Sequence, residues 1–364
     1  MVRRLTHMFV ANLDGVLLTL VGMLLGIGIT VLYSASGESF ARLSGQLINI
    51  GVAFTVMWFA AKIPPNHLMR VALPAYLVGL TLLIAVAFFG EITNGARRWL
   101  HVGVTRIQPS ELMKIAVPMT LAWYFHRYEG GLRLQHYAVA ALVLLVPVGL
   151  ILRQPDLGTA LLIGGSGFFV LFLAGLSWKV IGGLALGALA GAPILWGSMH
   201  DYQRQRILTL LDPAQDPLGA GYHTIQSTIA VGSGGLAGKG WLNGTQTHLD
   251  FLPERTTDFI FAVFSEEFGL IGNILLLLLF LAVIARGFVI TVNAPTTFAR
   301  LLSGAVTLGF FTYAFVNMGM VSGILPVVGV PLPLISYGGT SLVTICLGFG
   351  ILMSIQTHRK LVQT

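Results

Sequence analysis

Charged residues cluster in the stretch His248–Gly269, HLDFLPERTTDFIFAVFSEEFG, where a polar interval gives way to an apolar run. Asp, Glu, Lys and Arg make up only 10% of the 364-residue chain, and six of them fall here. If a helix begins at Asp258, the positive end of its dipole favours the ionised carboxylate, whereas apolar surroundings favour the neutral acid. An ionised Asp258 could accept a proton from a substrate hydroxyl. The alternative is that Asp258 only caps the helix or pairs with Arg255.

The flanking residues carry further expectations. Thr256 and Thr257 are predicted to cap the helix. Glu266 and Glu267 lie roughly 12–14 Å further along it, at about 1.5 Å per residue, and therefore near the middle of a bilayer. At that depth we predict a buried ion pair with Lys114 or a neutral carboxyl, with a proton relay as the alternative.

A second motif, NGARRWLHVGVTRIQPSELMK, covers residues 94–114. Its QPSE portion predicts a helix start, because proline fits the first turn and an acid close behind it complements the helix dipole. The free N–H groups of this turn, together with Arg97, Arg98 and Arg106, favour an anion such as phosphate. The alternative is that these arginines pair with Glu91 or with lipid headgroups.

Glu111 and Lys114 lie three residues apart, on one face of the helix that this motif starts. Ionisable side chains inside a membrane span usually face the protein interior or a wet cavity. The pair therefore either locks helices together or contacts a substrate.

A third motif, NMGMVSGILPVVGVPLPLISYGGTS, covers residues 317–341 and interrupts the apolar pattern with prolines and glycines. Irregular backbone at membrane depth is tolerated where it lines a cavity or is buried in protein. Gly338 and Gly339 precede the start of the last predicted helix, and a glycine pair there would let the backbone approach phosphate closely. Taken alone, the motif predicts a re-entrant turn.

The composition indicates that lipid is the solvent. The chain is 55% hydrophobic, with 44 glycines and a mean hydropathy of +0.83, whereas soluble domains carry roughly 25% charged residues. The net charge of +7 is scattered between apolar runs, which favours anionic lipid over nucleic acid as a partner. Cys346 is the only cysteine, so no intramolecular disulfide can form.

Ten apolar segments are predicted to span the membrane, since a spanning helix needs about 20 mostly apolar residues. The Lys and Arg residues of the short connections, Arg3, Arg4, Arg359 and Lys360 among them, place both termini in the cytoplasm. All three motifs then face the outer side, where residues 198–258 form one long extracytoplasmic loop. The predicted fold class is an all-α polytopic membrane protein, with residues 1–364 as a single domain. The predicted spans lie near Leu13–Tyr33, Leu47–Ala61, Val71–Phe89, Pro109–Tyr124, Tyr137–Leu152, Thr159–Leu176, Val180–Trp196, Phe259–Ile284, Leu301–Val321 and Thr340–Ile355.

The motifs resemble those of a known family. GILP and LISYGGTS within residues 317–341, together with FLPERTTDFIFAVFSEEFG, GARRWL and QPSELMK, are similar to the sequence blocks of the RodA, FtsW and SpoVE proteins. These are called SEDS proteins, for shape, elongation, division and sporulation. Length and span count agree as well, so the likeness covers essentially the whole chain. The short ends make the RodA branch the closest match.

The resemblance implies a peptidoglycan glycosyltransferase of the bacterial cytoplasmic membrane, which polymerises lipid II into glycan strands at the outer face during cell elongation. The partners it implies are a class B penicillin-binding protein (the transpeptidase that cross-links the strands), other membrane proteins of the elongation complex, and membrane lipids. A flippase for the lipid-linked precursor is the alternative, because many spans, interior charges and a broken helix suit a transporter equally well. A scaffold that only docks its partner enzyme is a third possibility.

The resemblance also implies roles for individual residues. Asp258, in the motif Thr257-Asp258-Phe259, matches the family's catalytic aspartate. The donor would be a sugar linked to pyrophosphate, which leaves without needing protonation if cations offset its charge. Arginine and lysine side chains would do so, and a divalent cation (Mg²⁺ or Mn²⁺) could share the task. The predicted substrate-binding residues are Arg97, Arg98, Glu111, Lys114, Lys239, Arg255, Ser336, Gly338 and Gly339.

Overall fold

The computed structural model describes residues 13–93, 96–102, 105–199, 201–213, 221–248, 252 and 254–358. Both chain ends lie outside these ranges, so the cytoplasmic position of the termini stays a prediction, as do the positions of Arg3, Arg4, Arg359 and Lys360. The described helices are α1 (Gly15–Ala35), α2 (Phe40–Lys62), α3 (Pro65–Phe89), α4 (Pro109–Arg127), α5 (Leu134–Arg153), α6 (Leu157–Leu173), α7 (Trp178–Ser198), α8 (Asp201–Leu211), α9 (Tyr222–Ser233), α10 (Thr245–His248), α11 (Ile260–Val292), α12 (Thr297–Val321) and α13 (Gly339–Thr357).

Seven of the described helices, α1, α2, α3, α5, α11, α12 and α13, are long and apolar enough to span a bilayer. The chain is therefore a multi-pass membrane protein, as predicted. α4, α6 and α7 form at the other three predicted positions but do not reach the same length and hydropathy. The count of ten spans stays a prediction.

Opposite ends of α1 and α11 are tied together, which fixes these two helices as an antiparallel pair. Asp14 caps the first turn of α1 by accepting from the N–H of Leu17 at 2.8 Å, and Arg286 of α11 donates to the same carboxylate at 3.1 Å. At the other end, the Ser34 hydroxyl donates to Glu267. The start of α11 and the end of α1 therefore share one face of the bundle.

A small antiparallel sheet occupies the connection between α3 and α4, in the order β1 (Glu91–Thr93), β2 (Ala96–Val102) and β3 (Thr105–Ile107). This sheet is an exception to the predicted all-α fold. Successive side chains of a strand point to opposite faces, so Arg97 and Arg98 on β2 face opposite ways.

α11 is interrupted at Gly269, where φ is +62°. In a continuous helix the N–H groups of Leu270 and Ile271 would bond to Glu266 and Glu267. Instead these donors and acceptors bond to the glycine-rich segment 232–240, which packs against the break. The four bonds are Leu270 N to Gly235 O (2.9 Å), Ile271 N to Leu236 O (3.1 Å), Lys239 N to Glu266 O (3.0 Å) and Gly240 N to Glu267 O (3.0 Å).

Glycine is required where segment 232–240 touches α11. A Cβ atom at Gly234 or Gly238 would lie 2.1 Å from a carbonyl oxygen of α11. Residues 234–237 form a turn here. However, the described part of residues 198–258 is not simply a loop beyond the helix ends, because residues 232–240 reach a point about 14 Å along α11 from its start.

The irregular backbone predicted for the third motif is confirmed between α12 and α13. Residues 322–338 form no helix or strand, and several of their apolar side chains are buried, including Val330, Leu332 and Leu334. Two helical glycines make room for this segment. A Cβ at Gly158 of α6 would lie 2.6 Å from the carbonyl oxygen of Val328, and one at Gly28 of α1 would lie 2.8 Å from that of Leu334.

Candidate active site

Three consecutive carbonyl oxygens at Asp258 and the two residues before it accept hydrogen bonds from the third motif. The donors are one backbone N–H, one hydroxyl and one side-chain amide. They are Tyr337 N to Thr256 O (2.8 Å), Ser336 Oγ to Thr257 O (2.6 Å) and Asn317 Nδ2 to Asp258 O (2.8 Å). We call these three bonds the carbonyl clamp. The clamp joins the first and third motifs, which the sequence predicted on one side of the membrane but not in contact.

The segment leading into α11 is a series of turns, so the predicted threonine caps are wrong. α11 begins at Ile260, and its N-cap residue, Phe259, makes no side-chain capping bond. Thr256 instead accepts a hydrogen bond from Arg42 at 2.9 Å, and the Thr257 hydroxyl bonds to Glu254. A long-range contact at Thr256 and a local turn contact at Thr257 thus take the place of helix capping. Asp258 does not cap the helix either.

The Asp258 carboxyl is partly buried and is approached closely by Gly329. Gly329 has a φ of +71°, and a Cβ there would lie 3.3 Å from Oδ2 of Asp258. Burial raises the pKa of Asp258 to about 6; the negative charge of Glu254 adds to this effect and the positive charge of Arg98 opposes it. Burial therefore acts in the direction expected of apolar surroundings. A carboxylate with this pKa is ionised at neutral pH and is a stronger base than an ordinary aspartate.

Arg98 is the arginine of the second motif that the structure brings to the site. Its guanidinium lies 3.4 Å from Asp156, at the start of α6, and donates to the carbonyl oxygen of Pro155 at 3.2 Å. Arg97 points the other way and donates to the carbonyl oxygen of Ala87 at 3.3 Å. Arg97 and Arg98 therefore have different surroundings, although both were predicted to bind the substrate anion.

The remaining basic residues predicted to bind an anion are Arg106 and Arg255, and they have different surroundings. Arg106 lies 4.0 Å from Glu91, the pairing given above as the alternative to phosphate binding. Arg255 is half-buried in the turns before α11, three residues from Asp258, and its role as a substrate ligand stays a prediction.

Glu111 and Lys114 form an ion pair of 2.6 Å with little exposure, 14% and 9% of the side chains respectively. Thr344 of α13 donates to Glu111 at 2.8 Å, and the Lys114 ammonium lies 5.2 Å from the ring centre of Tyr313 in α12. The pair thus links α4, α12 and α13, as expected for a helix lock. Lys114 also lines a largely apolar cavity, so substrate contact stays a prediction.

The partners predicted for Glu266 and Glu267 are wrong. Lys239, in segment 232–240, pairs with the fully buried Glu266 at 2.7 Å, whereas Lys114 pairs with Glu111. Glu267 accepts from Ser34. Lys239 was predicted to bind pyrophosphate, and the structure places it beside Glu266, roughly 12 Å along α11 from Asp258.

Ser336, Gly338 and Gly339 are engaged within the fold. Ser336 donates in the carbonyl clamp and accepts from the N–H of Leu332 at 2.8 Å. A Cβ at Gly339 would lie 2.9 Å from the side-chain oxygen of Asn49 in α2, so this glycine permits helix packing. α13 begins at Gly339, one residue before the predicted start, and phosphate contact by the glycine pair stays a prediction.

The sequence reasoning missed several residues at the site. Asn317 was only the first residue of the third motif, and Asp156 and Arg42 were given no role. The only sequence signal for Asn317 is that a polar residue ends an apolar run. Its two hydrogen-bond partners lie 59 and 13 residues away, so no local pattern points to them.

A divalent cation would find few ligands here. Among the described residues, no group of three or more His, Cys, Asp or Glu side chains is placed to hold a metal ion. Glu254 and Asp258 are the acids whose charges interact at the site. Mg²⁺ is often held by one or two carboxylates together with substrate phosphates, so these two side chains fit a cation that binds with a pyrophosphate substrate.

The fold and site define a multi-pass membrane protein with a partly buried carboxylate of raised pKa at the end of its helical bundle. The family model for the FtsW, RodA and SpoVE cell cycle proteins matches residues 15–361, so the chain belongs to this family. The expected resemblance is thereby confirmed.

Named relatives cover nearly the full length of the chain. The peptidoglycan glycosyltransferase MrdB of Escherichia coli (strain K12) is 51% identical over 351 residues, which are 96% of this chain and 95% of the relative. A chain from a structure of a peptidoglycan synthase complex, which coordinates polymerization and crosslinking, superposes with a TM-score of 0.82 at 34% identity and covers 96% of this chain and 99% of that one. The rod shape determining protein RodA of Thermus thermophilus matches with a TM-score of 0.73 at 29% identity, covering 95% and 97% of the two chains.

Proposed function

We propose that this chain is a peptidoglycan glycosyltransferase that polymerises lipid II into glycan strands at the outer face of the cytoplasmic membrane during cell elongation. The observation that carries the proposal is the Asp258 carboxyl, whose pKa burial raises to about 6 and whose main chain the carbonyl clamp fixes. The MrdB relative is named as a peptidoglycan glycosyltransferase, and its 51% identity over nearly the whole chain supports the same conclusion.

In the proposed reaction Asp258 removes the proton from an acceptor sugar hydroxyl. The hydroxyl oxygen then forms a bond to the anomeric carbon of the donor, and the bond from that carbon to the lipid-linked pyrophosphate breaks. Arg98, close enough to affect the pKa of Asp258, stabilises the negative charge that grows on the leaving phosphate. Arg97 and Arg255 are further candidates for this role. A divalent cation held by Glu254 together with the pyrophosphate would supply additional positive charge.

The proposed partner is a class B penicillin-binding protein, with other membrane proteins of the elongation complex. Support comes from the similar chain that was solved within a peptidoglycan synthase complex. Cross-linking of strands must follow their polymerisation, so a transpeptidase held beside the polymerase would receive the product directly.

The test is polymerisation of purified lipid II by the protein in detergent, with Asp258→Ala and Asp258→Asn as variants. The parent is expected to produce long glycan strands and both variants none, because no other base replaces the carboxylate. Asp212→Asn, at an exposed aspartate between α8 and α9, is the matched control and should retain activity. A folded Asp258 variant that still polymerises would remove this residue from the mechanism. A parent that moves lipid II across vesicles without making glycan would instead support the flippase.

A further inference from the structure

Asn317, in the last turns of α12, connects two irregular segments at the site. Its side chain is fully buried. The Nδ2 atom donates to the carbonyl oxygen of Asp258 at 2.8 Å and to that of Val330 at 2.7 Å. Neither segment belongs to a helix or strand at these points, so their separation depends on side-chain bonds of this kind.

The amide of Asn317 can adopt only one orientation. The opposite orientation would place its oxygen against two carbonyl oxygens, with no donor between them. In the observed orientation, Oδ1 is buried and no described residue donates to it. The side chain thus supplies its two N–H groups to two irregular segments at once.

The two carbonyls that Asn317 joins belong to Asp258 itself and to Val330. Val330 follows Gly329, where a Cβ would lie 3.3 Å from Oδ2 of Asp258. The other two clamp bonds hold the preceding carbonyls but not that of Asp258 itself. Asn317 thus fixes both the base and the surface that faces it.

We infer that Asn317 is a positioning residue, which holds Asp258 against the irregular segment at Gly329 and Val330 so that the carboxylate stays where an acceptor hydroxyl reaches it. The inference rests on the proposed function, since the hydroxyl belongs to that reaction. A misplacement of about 1 Å at a reacting group can reduce the rate roughly 100-fold. Loss of Asn317 should therefore lower kcat and leave the binding of lipid II largely intact.

The experiment compares the parent with Asn317→Ala and Asn317→Gln in lipid II polymerisation, measuring kcat and KM separately. We expect kcat to fall about 10- to 100-fold in the alanine variant, with KM within about 2-fold of the parent. The glutamine variant keeps both donors on a longer side chain and should lose less. Asn293→Ala is the matched control, because its Nδ2 also donates to a carbonyl oxygen, that of Val289, at the opposite end of α11. It should behave as the parent.

Hydrogen exchange provides a readout that does not depend on activity. Peptides covering residues 254–260 should exchange faster in Asn317→Ala than in the parent or in Asn293→Ala, at equal melting temperature. If the alanine variant does not fold, the polymerisation kinetics and the hydrogen exchange are both measured on Asn317→Gln. Parent-like kcat in a folded variant, or a raised KM at unchanged kcat, would overturn the positioning role. Inactivity of the parent on lipid II would refute the proposed function, and faster exchange at 254–260 would then still support the role of Asn317 in holding the segment.

Discussion

The Lys239–Glu266 pair gives the sharpest prediction about how this fold holds together. Glu266 is fully buried, and the Lys239 side chain is 27% exposed. Replacing Lys239 with Met leaves an ionised carboxylate in the interior, and breaking a buried pair in this way costs about 3–5 kcal/mol. Glu266 also accepts from the Thr245 hydroxyl at 3.1 Å and the Gln246 N–H at 3.0 Å. These remaining donors place the expected loss at the lower limit, about 3 kcal/mol.

The reverse replacement should be milder. Glu266→Gln keeps a hydrogen-bonding side chain and leaves a lysine that water can reach, so we expect a loss of about 1–2 kcal/mol. The double variant, Lys239→Met with Glu266→Gln, contains no unpaired buried charge. It should therefore be more stable than Lys239→Met alone. Such non-additive changes in stability indicate that the two side chains interact directly. Melting temperatures of the parent and the three purified variants, in one detergent, would measure these differences in stability.

Kinetics on lipid II separate this role from pyrophosphate binding. If Lys239 serves only to hold segment 232–240 against the break in α11, the KM of Lys239→Met should stay near that of the parent. A raised KM at unchanged melting temperature would refute the reasoning, because it would show that the ammonium binds substrate. An additive double variant would refute it as well.

Other predictions concern the environment of Asp258. Since the base must be ionised and burial raises its pKa to about 6, kcat/KM should rise with pH through about 6 and level off above 7. Arg98→Ala should reduce kcat/KM about 100-fold. It should also shift the rise of kcat/KM to higher pH, because the guanidinium lowers the pKa of Asp258. Arg97→Ala, on the other face of the strand, should change kcat/KM less than about 3-fold. Gly329→Ala should lower kcat at least about 10-fold, as its Cβ meets the carboxylate and φ is positive. A raised pKa stabilises the fold below the ordinary pKa of aspartate, and this contribution is lost as pH rises through about 6, so Asp258→Asn should melt higher than the parent at pH 8, with the difference closing only below about pH 4.

Features governed by neighbours in sequence were predicted from the sequence. α4 begins at Pro109 and α13 at Gly339, because proline and glycine act on the backbone within a turn of their own position. The interruption between α12 and α13 was predicted for the same reason. The identity of the base, by contrast, came from the family resemblance, since position alone left Asp258 with a capping role as an alternative.

Features governed by distant neighbours were not predictable in this way. The sequence offered Lys114 as the partner of Glu266, but the path of segment 232–240 brings Lys239 there instead. Thr256 and Thr257 have the side chains of helix caps and are drawn to Arg42 and Glu254. Arg97 and Arg98 could be told apart only once residues 96–102 were known to form a strand. For Glu266 and Thr256 the decisive contact joins elements far apart in the chain, and a local pattern contains no information about it.

The break in α11 constrains how the chain can enter the membrane. The backbone groups exposed at Gly269 and those of segment 232–240 satisfy one another through four bonds, and an unpaired backbone group in hydrocarbon costs several kcal/mol. Segment 232–240 is synthesised before α11, so its backbone groups must stay in a polar environment until α11 has been made. Biogenesis of this protein therefore requires segment 232–240 and α11 to insert into the lipid bilayer together.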